Sequence, residues 1–284
     1  MSAELTRGPV PGRPPSPTDE VRLALETGEL ELQGRIMPAS NATFFGEAVL
    51  DGLKVACVYK PVAGERPLWD FPSRTLANRE RAAYLVSEAL GWGIVPLTIL
   101  RDGPHGRGMV QLWCEPADSG DGLDPVDLCP TDALPEGYLH VLDATDGSGR
   151  DVSLVHEDSV ALRRMAVFDA VVNNADRKGG HVLAMADGHR YGVDHGVCFH
   201  VEEKLRTVLW GWAGERLDPE DRVAVAAMGE RLRDLDTGGE LAALRTLLDR
   251  EEVATLARRC LTLARRGRMP VPSGSWPSIP WPAF

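Results

Sequence analysis

Cysteine is scarce in this sequence, and no two cysteines are spaced as a C-x-x-C pair. Five cysteines in 284 residues are too few and too scattered for the disulfide framework of a small secreted domain. The missing C-x-x-C pair also argues against zinc ribbons and thioredoxin-like redox motifs. We therefore interpret these residues as reduced thiols, mostly in the core, of a cytoplasmic protein. They are Cys57, Cys114, Cys129, Cys198 and Cys260.

Basic residues are outnumbered, and long apolar runs are missing. Lys and Arg number 31 against 42 Asp and Glu, which gives a formal net charge of -11 and a sequence pI near 5.2. Nucleic acids and anionic membrane surfaces both select basic patches, so an acidic chain is a poor match for either. No apolar run has the length of a membrane span, and residues 1–17 contain no apolar signal core. We expect neither a nucleic-acid partner nor stable membrane association.

The chain nevertheless has enough apolar residues for a substantial core. Hydrophobic residues make up 43% of it, which suffices for one large domain or two lobes. Residues 1–18 are rich in Pro and Gly and predict a disordered arm. Residues 269–284 contain Trp276, Trp281 and five prolines. They predict an extended tail that either docks on the body of the protein or recruits a partner.

The most informative stretch is residues 168–199, FDAVVNNADRKGGHVLAMADGHRYGVDHGVCF. Its pattern predicts the end of a helix over residues 161–172, a polar loop over 173–181, and a β-hairpin with arms at 181–185 and 191–193. Asp176 and Asp194 then lie at opposite ends of one hairpin and meet at its open end. Such a pair suits phosphoryl transfer, in which one acid handles a hydroxyl and another holds a metal bound to a nucleotide phosphate.

This stretch resembles the catalytic and metal-binding loops of the phosphatidylinositol 3- and 4-kinase-like superfamily, closest to the type II 4-kinase branch and its bacterial relatives. Members carry D-R-x-x-x-N followed by D-x-G. Asp176 and Arg177 match the D-R, and Asp194 and Gly196 match the D-x-G. His181 departs from the pattern, because the family has a metal-binding Asn there. The chain also resembles an uncharacterised actinobacterial family of this type, and that likeness implies no activity.

The resemblance implies an α+β, two-lobed protein-kinase-like fold, with a β-rich N-lobe at residues 19–114 and a helical C-lobe at 115–268. It also implies ATP binding with Mg²⁺ or Mn²⁺ and transfer of a phosphoryl group to a hydroxyl of a protein or a small molecule. In this resemblance Asp176 would orient the hydroxyl and accept its proton, Arg177 would brace Asp176, and Asn174 would shape the loop. Asp194 would bind the metal, with His181 as a second ligand. A free His titrates near pH ~6.5, so a His181 ligand predicts lower activity below that pH.

The upstream pattern predicts the rest of a small lobe. Alternation and turn signals predict strands at residues 29–35, 43–50, 53–59, 94–100 and 109–114, and periodicity predicts a helix at 75–91. Backbone N–H groups of Ser40, Asn41 and Ala42, in the loop between the first two strands, are candidates for contacting ATP phosphates.

Lys60 closes the third strand in V-A-C-V-Y-K-P, which looks like the family's phosphate-contacting V-x-x-x-K-P element. A charged residue in that position is also typical of a solvated strand edge. Glu80 lies on the apolar side of its helix, where a carboxylate needs a partner. We predict that Lys60 is that partner. Glu88 is the competitor, but the periodicity places it on another face.

The strand at residues 109–114 would lead into the hinge between the lobes. Backbone groups there would bind the adenine edge, and apolar side chains would wall the ring. A core strand with a buried tryptophan is compatible with this interpretation. The predicted hinge residues are Gln111, Leu112, Trp113 and Cys114.

The remaining segments carry weaker signals. Residues 115–150 are acidic and rich in Gly and Pro, and we interpret them as a solvated loop, with a lid near the substrate as the alternative. Helices are predicted at residues 218–235, 240–248 and 251–266. Two other functions stay open at this point: a nucleotide-binding pseudokinase that acts as a scaffold, favoured by His181, and AMP transfer on the same fold. The acceptor cannot be read from these residues.

Overall fold

The computed structural model describes residues 17–37, 41–118, 120, 122–233, 240–274 and 277–284. Over these residues the chain is a mixed α/β structure, sheet-rich in its N-terminal part and mainly helical in its C-terminal part. That division confirms the predicted α+β class at this coarse level. Most of the predicted disordered arm, together with Ser40 and Trp276, lies outside the described residues.

Five antiparallel strands form the N-terminal sheet. They are β1 (Glu29–Arg35), β2 (Phe44–Leu50), β3 (Leu53–Pro61), β4 (Thr98–Gly103) and β5 (Gly106–Leu112). Their order is β1-β2-β3-β5-β4, so β3 lies at the centre. Asp51 and Gly52 join β2 to β3 and both have positive φ, 50° and 86°. This is the backbone that a tight hairpin turn requires. Lys60 is therefore near the end of the central strand.

The strand predicted at residues 94–100 begins later, at Thr98. Pro96 has no N–H and cannot contribute to a strand ladder. The preceding residues instead connect the sheet to a later part of the chain, because the Ile94 carbonyl accepts a hydrogen bond from the Gly192 N–H at 2.8 Å.

Helices α1 (Asp19–Thr27) and α2 (Leu76–Leu90) pack against this sheet. Helix α2 ends as predicted at Gly91, whose left-handed φ of 75° caps the carbonyl end. The Glu65 carboxylate accepts hydrogen bonds from the first backbone N–H groups of the helix. Most of α2 is buried, including Arg79 and Glu80.

The prediction of a solvated loop at residues 115–150 is wrong for two stretches of the segment. Strands β6 (Val126–Pro130) and β7 (Tyr138–Thr145) join β8 (Asp151–Glu157) in a three-stranded antiparallel sheet of order β6-β8-β7. Its acidic residues serve the turns of this sheet instead of marking disorder. Asp146, for example, accepts hydrogen bonds from the Ser148 and Arg150 backbone N–H groups and closes the β7–β8 turn.

The C-terminal part contains helices α3 (Val160–Val172), α4 (Pro219–Arg233), α5 (Leu244–Leu247) and α6 (Arg250–Arg266). Where one helix was predicted over residues 240–248, the chain makes a 3₁₀ turn followed by the single turn of α5. Asp249 begins α6 with a capping box to Glu252. Among the described residues, no helix combines the length and the apolar character needed to cross a bilayer.

Residues 277–284 of the tail dock on the body of the protein, which is one of the two predicted arrangements. The Trp210 indole N–H and the Thr207 backbone N–H both donate to the Ser278 carbonyl, at 2.8 and 3.0 Å.

Candidate active site

A short hairpin places the candidate site. Its strands are β9 (Val182–Ala184) and β10 (Arg190–Gly192), joined by a turn in which Gly188 has φ 87°. The Val193 N–H donates to the His181 carbonyl at 3.0 Å and extends the pairing toward the open end. Asp194 follows immediately, with an uncommon positive φ of 62°. The hairpin therefore returns the chain to the loop that contains Asp176.

Arg177 holds this hairpin to helix α3, and its guanidinium does not pair with Asp176. The side chain is fully buried and makes two hydrogen bonds of 2.9 Å to the Asp169 carboxylate of α3. It also donates to the His181 and Val193 carbonyls at 3.1 Å, on both sides of the open end. Arg177 therefore fixes the position of the hairpin's open end relative to α3 through buried hydrogen bonds.

Asn174 shapes the loop by using both ends of its amide. Its side-chain oxygen accepts from the Asp176 backbone N–H at 3.0 Å, and its nitrogen donates to Asp169 at 3.0 Å. Asn174 is completely buried, so it positions the acid that follows it and does not face solvent.

Asp176 itself is partly open to solvent, with 36% of its side chain exposed. Lys178 Nζ lies 3.9 Å from Asp176 Oδ2, which is too far for a tight ion pair. Partial burial raises the pKa of the Asp176 carboxyl, while Lys178 and Arg206 oppose the shift and the charge of Asp194 adds to it. A carboxylate with a raised pKa is better suited to take a proton from a hydroxyl.

Three charged side chains from distant parts of the chain meet opposite this loop. Lys60 Nζ lies 2.9 Å from Glu80 Oε1 and also contacts Asp194 Oδ1. The other oxygen of Glu80 accepts from the His195 backbone N–H at 2.9 Å. Glu80 is therefore the partner of Lys60, and it joins strand β3, helix α2 and the end of the hairpin.

The ionisation of these groups follows from their positions. Lys60 and, to a lesser degree, His181 and His195 hold the pKa of Asp194 well below its usual range, against the effect of burial. Burial acts to lower the pKa of Lys60, but the charges of Asp194 and Glu80 outweigh it and raise that pKa. The cluster thus keeps an ammonium beside an ionised Asp194 across the physiological range.

His181 lies beside Asp194, with Nε2 3.4 Å from Asp194 Oδ2. Its Nδ1 atom is buried without a hydrogen-bond partner. Burial lowers the pKa of His181 to about 4, although Asp194 opposes the shift. The expectation that His181 titrates near pH 6.5 is therefore wrong, because the ring stays neutral well below that value.

These donors fit a divalent cation that is also held by nucleotide phosphates. Mg²⁺ in such sites takes one or two carboxylates and completes its shell with phosphate oxygens and water. Asp194 supplies a carboxylate. His181 supplies a neutral imidazole whose Nδ1 atom has no hydrogen-bond partner. Within the described ranges, no group of three or more His, Cys, Asp or Glu residues forms a self-contained metal site.

The predicted phosphate loop is already engaged in part. The Ala42 N–H donates to the Gly64 carbonyl at 3.1 Å, and the Asn41 side-chain oxygen accepts from the Arg66 N–H at 2.8 Å. The expectation of a free N–H at Ala42 is therefore not met in this structure. Ser40, the first residue of that prediction, lies outside the described residues.

The predicted hinge residues do not act alike. The Gln111 side chain is buried and donates to Thr98 Oγ1 at 2.8 Å, so it belongs to the sheet interior. Leu112 closes β5, and the Trp113 ring packs edge-on against Phe45 at 5.0 Å between centroids. Burial raises the pKa of the Cys114 thiol to about 12.

The segment after β5 is tied to the hairpin of β9 and β10. The Ala117 N–H donates to the Ala184 carbonyl of β9 at 2.7 Å. This bond brings the segment that follows β5 alongside the hairpin that precedes Asp194.

Two positioning residues were missed in the sequence. Asp169 lies among apolar neighbours in α3, and a buried acid in such a run signals an unseen cation. Asn173 ends α3 in the left-handed conformation with φ 55°, and its amide nitrogen donates to the His200 and Glu202 carbonyls. Asn is the non-glycine residue best suited to that position.

No family model matches this chain. A solved structure of a Helicobacter pylori proinflammatory kinase, CtkA, aligns with 86% of this chain and 94% of its own, at 9% identity and a TM-score of 0.42. A similarity of that size does not by itself establish a common fold. The Mycobacterium tuberculosis protein Rv2133c is 54% identical over 273 residues, which cover 94% of this chain and 96% of that protein. Identity at this level over nearly the whole length of both proteins shows that the chain belongs to the same family as Rv2133c.

Proposed function

We propose that this protein is an ATP-dependent phosphotransferase with a two-lobed, phosphatidylinositol 3- and 4-kinase-like arrangement, which transfers a phosphoryl group to a hydroxyl. The observation that carries the proposal is the meeting of Lys60, Glu80 and Asp194 beside the loop that contains Asp176. A buried Lys–Glu pair next to an acid after a hairpin is what phosphoryl transfer needs to place a lysine against nucleotide phosphates.

Each group has a task that follows from its surroundings. The Lys60 ammonium lies at the end of the central strand and offers its donors to phosphate oxygens. Glu80 accepts a hydrogen bond from that ammonium and holds it in place. It also accepts from the His195 N–H and so fixes the backbone next to Asp194. Asp194 and His181 would hold Mg²⁺ or Mn²⁺, which when bound neutralises phosphate charge.

Asp176 handles the acceptor. Its partly exposed carboxylate orients the attacking hydroxyl and takes up its proton as the acceptor oxygen bonds to the γ-phosphorus of ATP. The bond from that phosphorus to the β,γ-bridging oxygen breaks, and ADP leaves. Asn174 and Arg177 keep this acid in place through hydrogen bonds to its backbone and to the flanking hairpin. The raised pKa of Asp176 matches that role.

Direct product analysis tests the proposal. Purified protein would be incubated with ATP and Mg²⁺ or Mn²⁺, and mass spectrometry would identify nucleotide products and modified acceptors. Production of ADP together with a phosphorylated acceptor supports phosphotransfer. AMP attached to the acceptor would instead establish AMP transfer, and unchanged ATP with retained binding would establish a nucleotide-binding scaffold.

Two substitutions test the separate roles proposed for Asp194 and Asp176. Asp194→Asn should abolish metal-dependent ATP binding with little change in thermal stability, whereas Asp176→Asn should keep ATP binding and lose transfer by a factor of about 10² or more. Asp102→Asn, at an exposed position of β4, is the matched control and should change neither. Retained metal-dependent binding in Asp194→Asn would remove Asp194 from the site.

A further inference from the structure

The tail touches the same loop that carries Asp176. The Gly179 N–H donates to the Ala283 carbonyl at 2.8 Å. Farther back in the tail, the Ser278 carbonyl accepts from the Thr207 N–H and from the Trp210 indole. The catalytic loop and residues 207–210 therefore bind two separate points of one tail segment.

These donors lie on a platform that the fold builds from two strips of backbone. Arg177 and Thr207 form a parallel bridge, in which the Arg177 N–H donates to the Arg206 carbonyl and the Val208 N–H donates to the Arg177 carbonyl. The Gly179 and Thr207 N–H groups, next to this bridge, donate to the tail. Recognition through backbone carbonyls holds an extended peptide while tolerating many sequences.

Gly179 provides the seat for an aromatic ring. A Cβ atom on Gly179 would lie 2.5 Å from Phe284 Cε1 and 3.3 Å from Val126 Cγ1. The position therefore needs glycine for space between the ring of Phe284 and strand β6. The platform offers both hydrogen-bond donors and an apolar contact, which are the two elements of a peptide-binding groove.

We propose that this platform is the acceptor groove, that its acceptor is an extended polypeptide segment, and that the chain's own tail occupies the groove in competition with it. This inference rests on the phosphotransferase function proposed above. The acceptor hydroxyl must come within hydrogen-bond reach of Asp176, and Gly179, where the segment binds, follows that acid by three residues in the same loop. An aromatic side chain at the Gly179 seat would anchor the acceptor.

The tail leaves much of its aromatic surface exposed. The Phe284 side chain remains 49% exposed, and Trp281, between the two anchoring points, is 86% exposed. The docking relies on a few hydrogen bonds, the half-buried Phe284 ring, the buried Pro280, and Ala283, which packs against the core. A protein acceptor with the same features can displace it.

Peptide binding to the full-length chain tests the groove without requiring catalysis. A fluorescent octapeptide with the sequence of residues 277–284, PSIPWPAF, would be titrated against wild type and Phe284→Ala. We expect about tenfold tighter binding to the variant, because half-burial of a Phe ring is worth about one factor of ten in affinity. Gly179→Ala added to Phe284→Ala should weaken octapeptide binding relative to Phe284→Ala alone, since its methyl group occupies the ring's seat and the tail no longer competes.

Amide hydrogen exchange shows whether the tail has left. Exchange at Gly179 and Thr207 should accelerate in Phe284→Ala, while exchange within α6 stays as in wild type. The control is Trp281→Phe, which keeps an aromatic ring at a position that is almost fully exposed. It should behave like wild type in both measurements.

Transfer of labelled phosphate from ATP to dephosphorylated casein decides whether the groove serves the acceptor. Phe284→Ala should label casein several-fold faster than wild type, with the octapeptide competing against casein and not against ATP. Equal or slower labelling in the variant would overturn the acceptor assignment and make the tail a brace. Equal octapeptide affinity for wild type, Phe284→Ala and the double variant Phe284→Ala/Gly179→Ala would overturn the groove itself. Octapeptide binding as expected with no ATP turnover in any variant would uphold the groove as a peptide site and refute the proposed function.

Discussion

At the scale of single residues, Glu80 is the most constrained acid of the site. It is 3% exposed and has a partner at each carboxylate oxygen, Lys60 on one side and the His195 N–H on the other. Burial raises its pKa, and the charge of Lys60 opposes that effect. A buried charge of this kind is stable only while its partners remain.

We therefore expect Lys60→Met and Glu80→Gln each to weaken ATP binding, and the double variant to lose little more than either single one. The two residues act as one unit, so the losses are non-additive. Isothermal titration with a non-hydrolysable ATP analogue over the complete double-mutant cycle measures the coupling.

The chain contains a matched control on the same sheet. Lys54 and Glu47 form an exposed pair with Nζ 3.1 Å from Oε2. Lys54→Met and Glu47→Gln should leave nucleotide binding unchanged, because an exposed pair contributes only about 0–1 kcal/mol to stability and lies away from the cluster. Fully additive losses at Lys60 and Glu80 would contradict the assignment.

His181 sets a second expectation, for metal choice. A neutral imidazole binds Mn²⁺ better than Mg²⁺, whereas an amide oxygen suits Mg²⁺. We expect wild type to prefer Mn²⁺ and His181→Asn to shift toward Mg²⁺. Because burial lowers the pKa of His181 to about 4, the wild-type preference should be the same at pH 7.5 and pH 5.5.

Metal titrations of nucleotide binding, at both pH values and with both proteins, measure this preference. Identical metal preferences in wild type and His181→Asn would leave His181 as a loop residue. A loss of Mn²⁺ preference between pH 7.5 and 5.5 would contradict the lowered pKa.

At the scale of elements, one buried arginine joins three parts of the protein. Arg79 of α2 pairs with Glu252 of α6 and donates to the Cys198 carbonyl at 2.6 Å, just beyond Asp194. Glu252 also accepts from the Asp249 N–H in the capping box of α6. Helix α2, which positions Glu80, is thereby fixed to the C-terminal helices.

Arg79→Met should lower the free energy of unfolding by about 3–5 kcal/mol, because it leaves the Glu252 carboxylate buried without its cation. Urea unfolding followed by circular dichroism measures the change. Arg233→Met is the control, since Arg233 pairs with Glu230 at the surface and both side chains are more than 60% exposed. Its cost should stay below about 1 kcal/mol. A comparable cost in the two variants would mean that the buried pair does not hold α2 in place.

At the scale of the whole molecule, buried neutral histidines govern stability in mild acid. The pKa values of His156, His181 and His195 are all lowered, in each case mainly by burial. The unfolded chain therefore binds more protons than the folded one below pH ~6.5, and stability falls as the pH drops through that value. Each histidine contributes a slope of at most about 1.4 kcal/mol per pH unit.

His156 is the best test, because it lies outside the candidate site. Its Nε2 accepts from the Gly211 N–H at 3.0 Å, and protonation would remove that acceptor. His156→Gln should flatten the dependence of unfolding free energy on pH between 6.5 and 5 by up to about 1.4 kcal/mol per pH unit. Urea midpoints at several pH values provide the measurement. The exposed His140 serves as the control, and an unchanged slope in His156→Gln would refute the prediction.

The sequence by itself determined the features that depend on near neighbours. Asp51-Gly52 and Asp187-Gly188 specified two hairpins, and Gly91 specified the end of α2. Helical periodicity placed Glu80 on the buried face of α2 and so predicted its pairing with Lys60, which the structure contains. These features follow from local backbone and side-chain preferences that act over a few residues.

Only the tertiary structure decided the features that depend on residues far apart in the chain. The acidic residues of 115–150 predict a loop when taken alone, whereas pairing with β8 makes two stretches of that segment, β6 and β7, strands of a sheet. Burial, and not the identity of the side chain, moves the pKa of His181 to about 4. The contact of Lys60 with Asp194 spans 134 residues, and the docking of residues 277–284 joins the tail to the loop that contains Asp176. Desolvation and long-range packing arise only when separate segments meet, so no local pattern in the sequence encodes them.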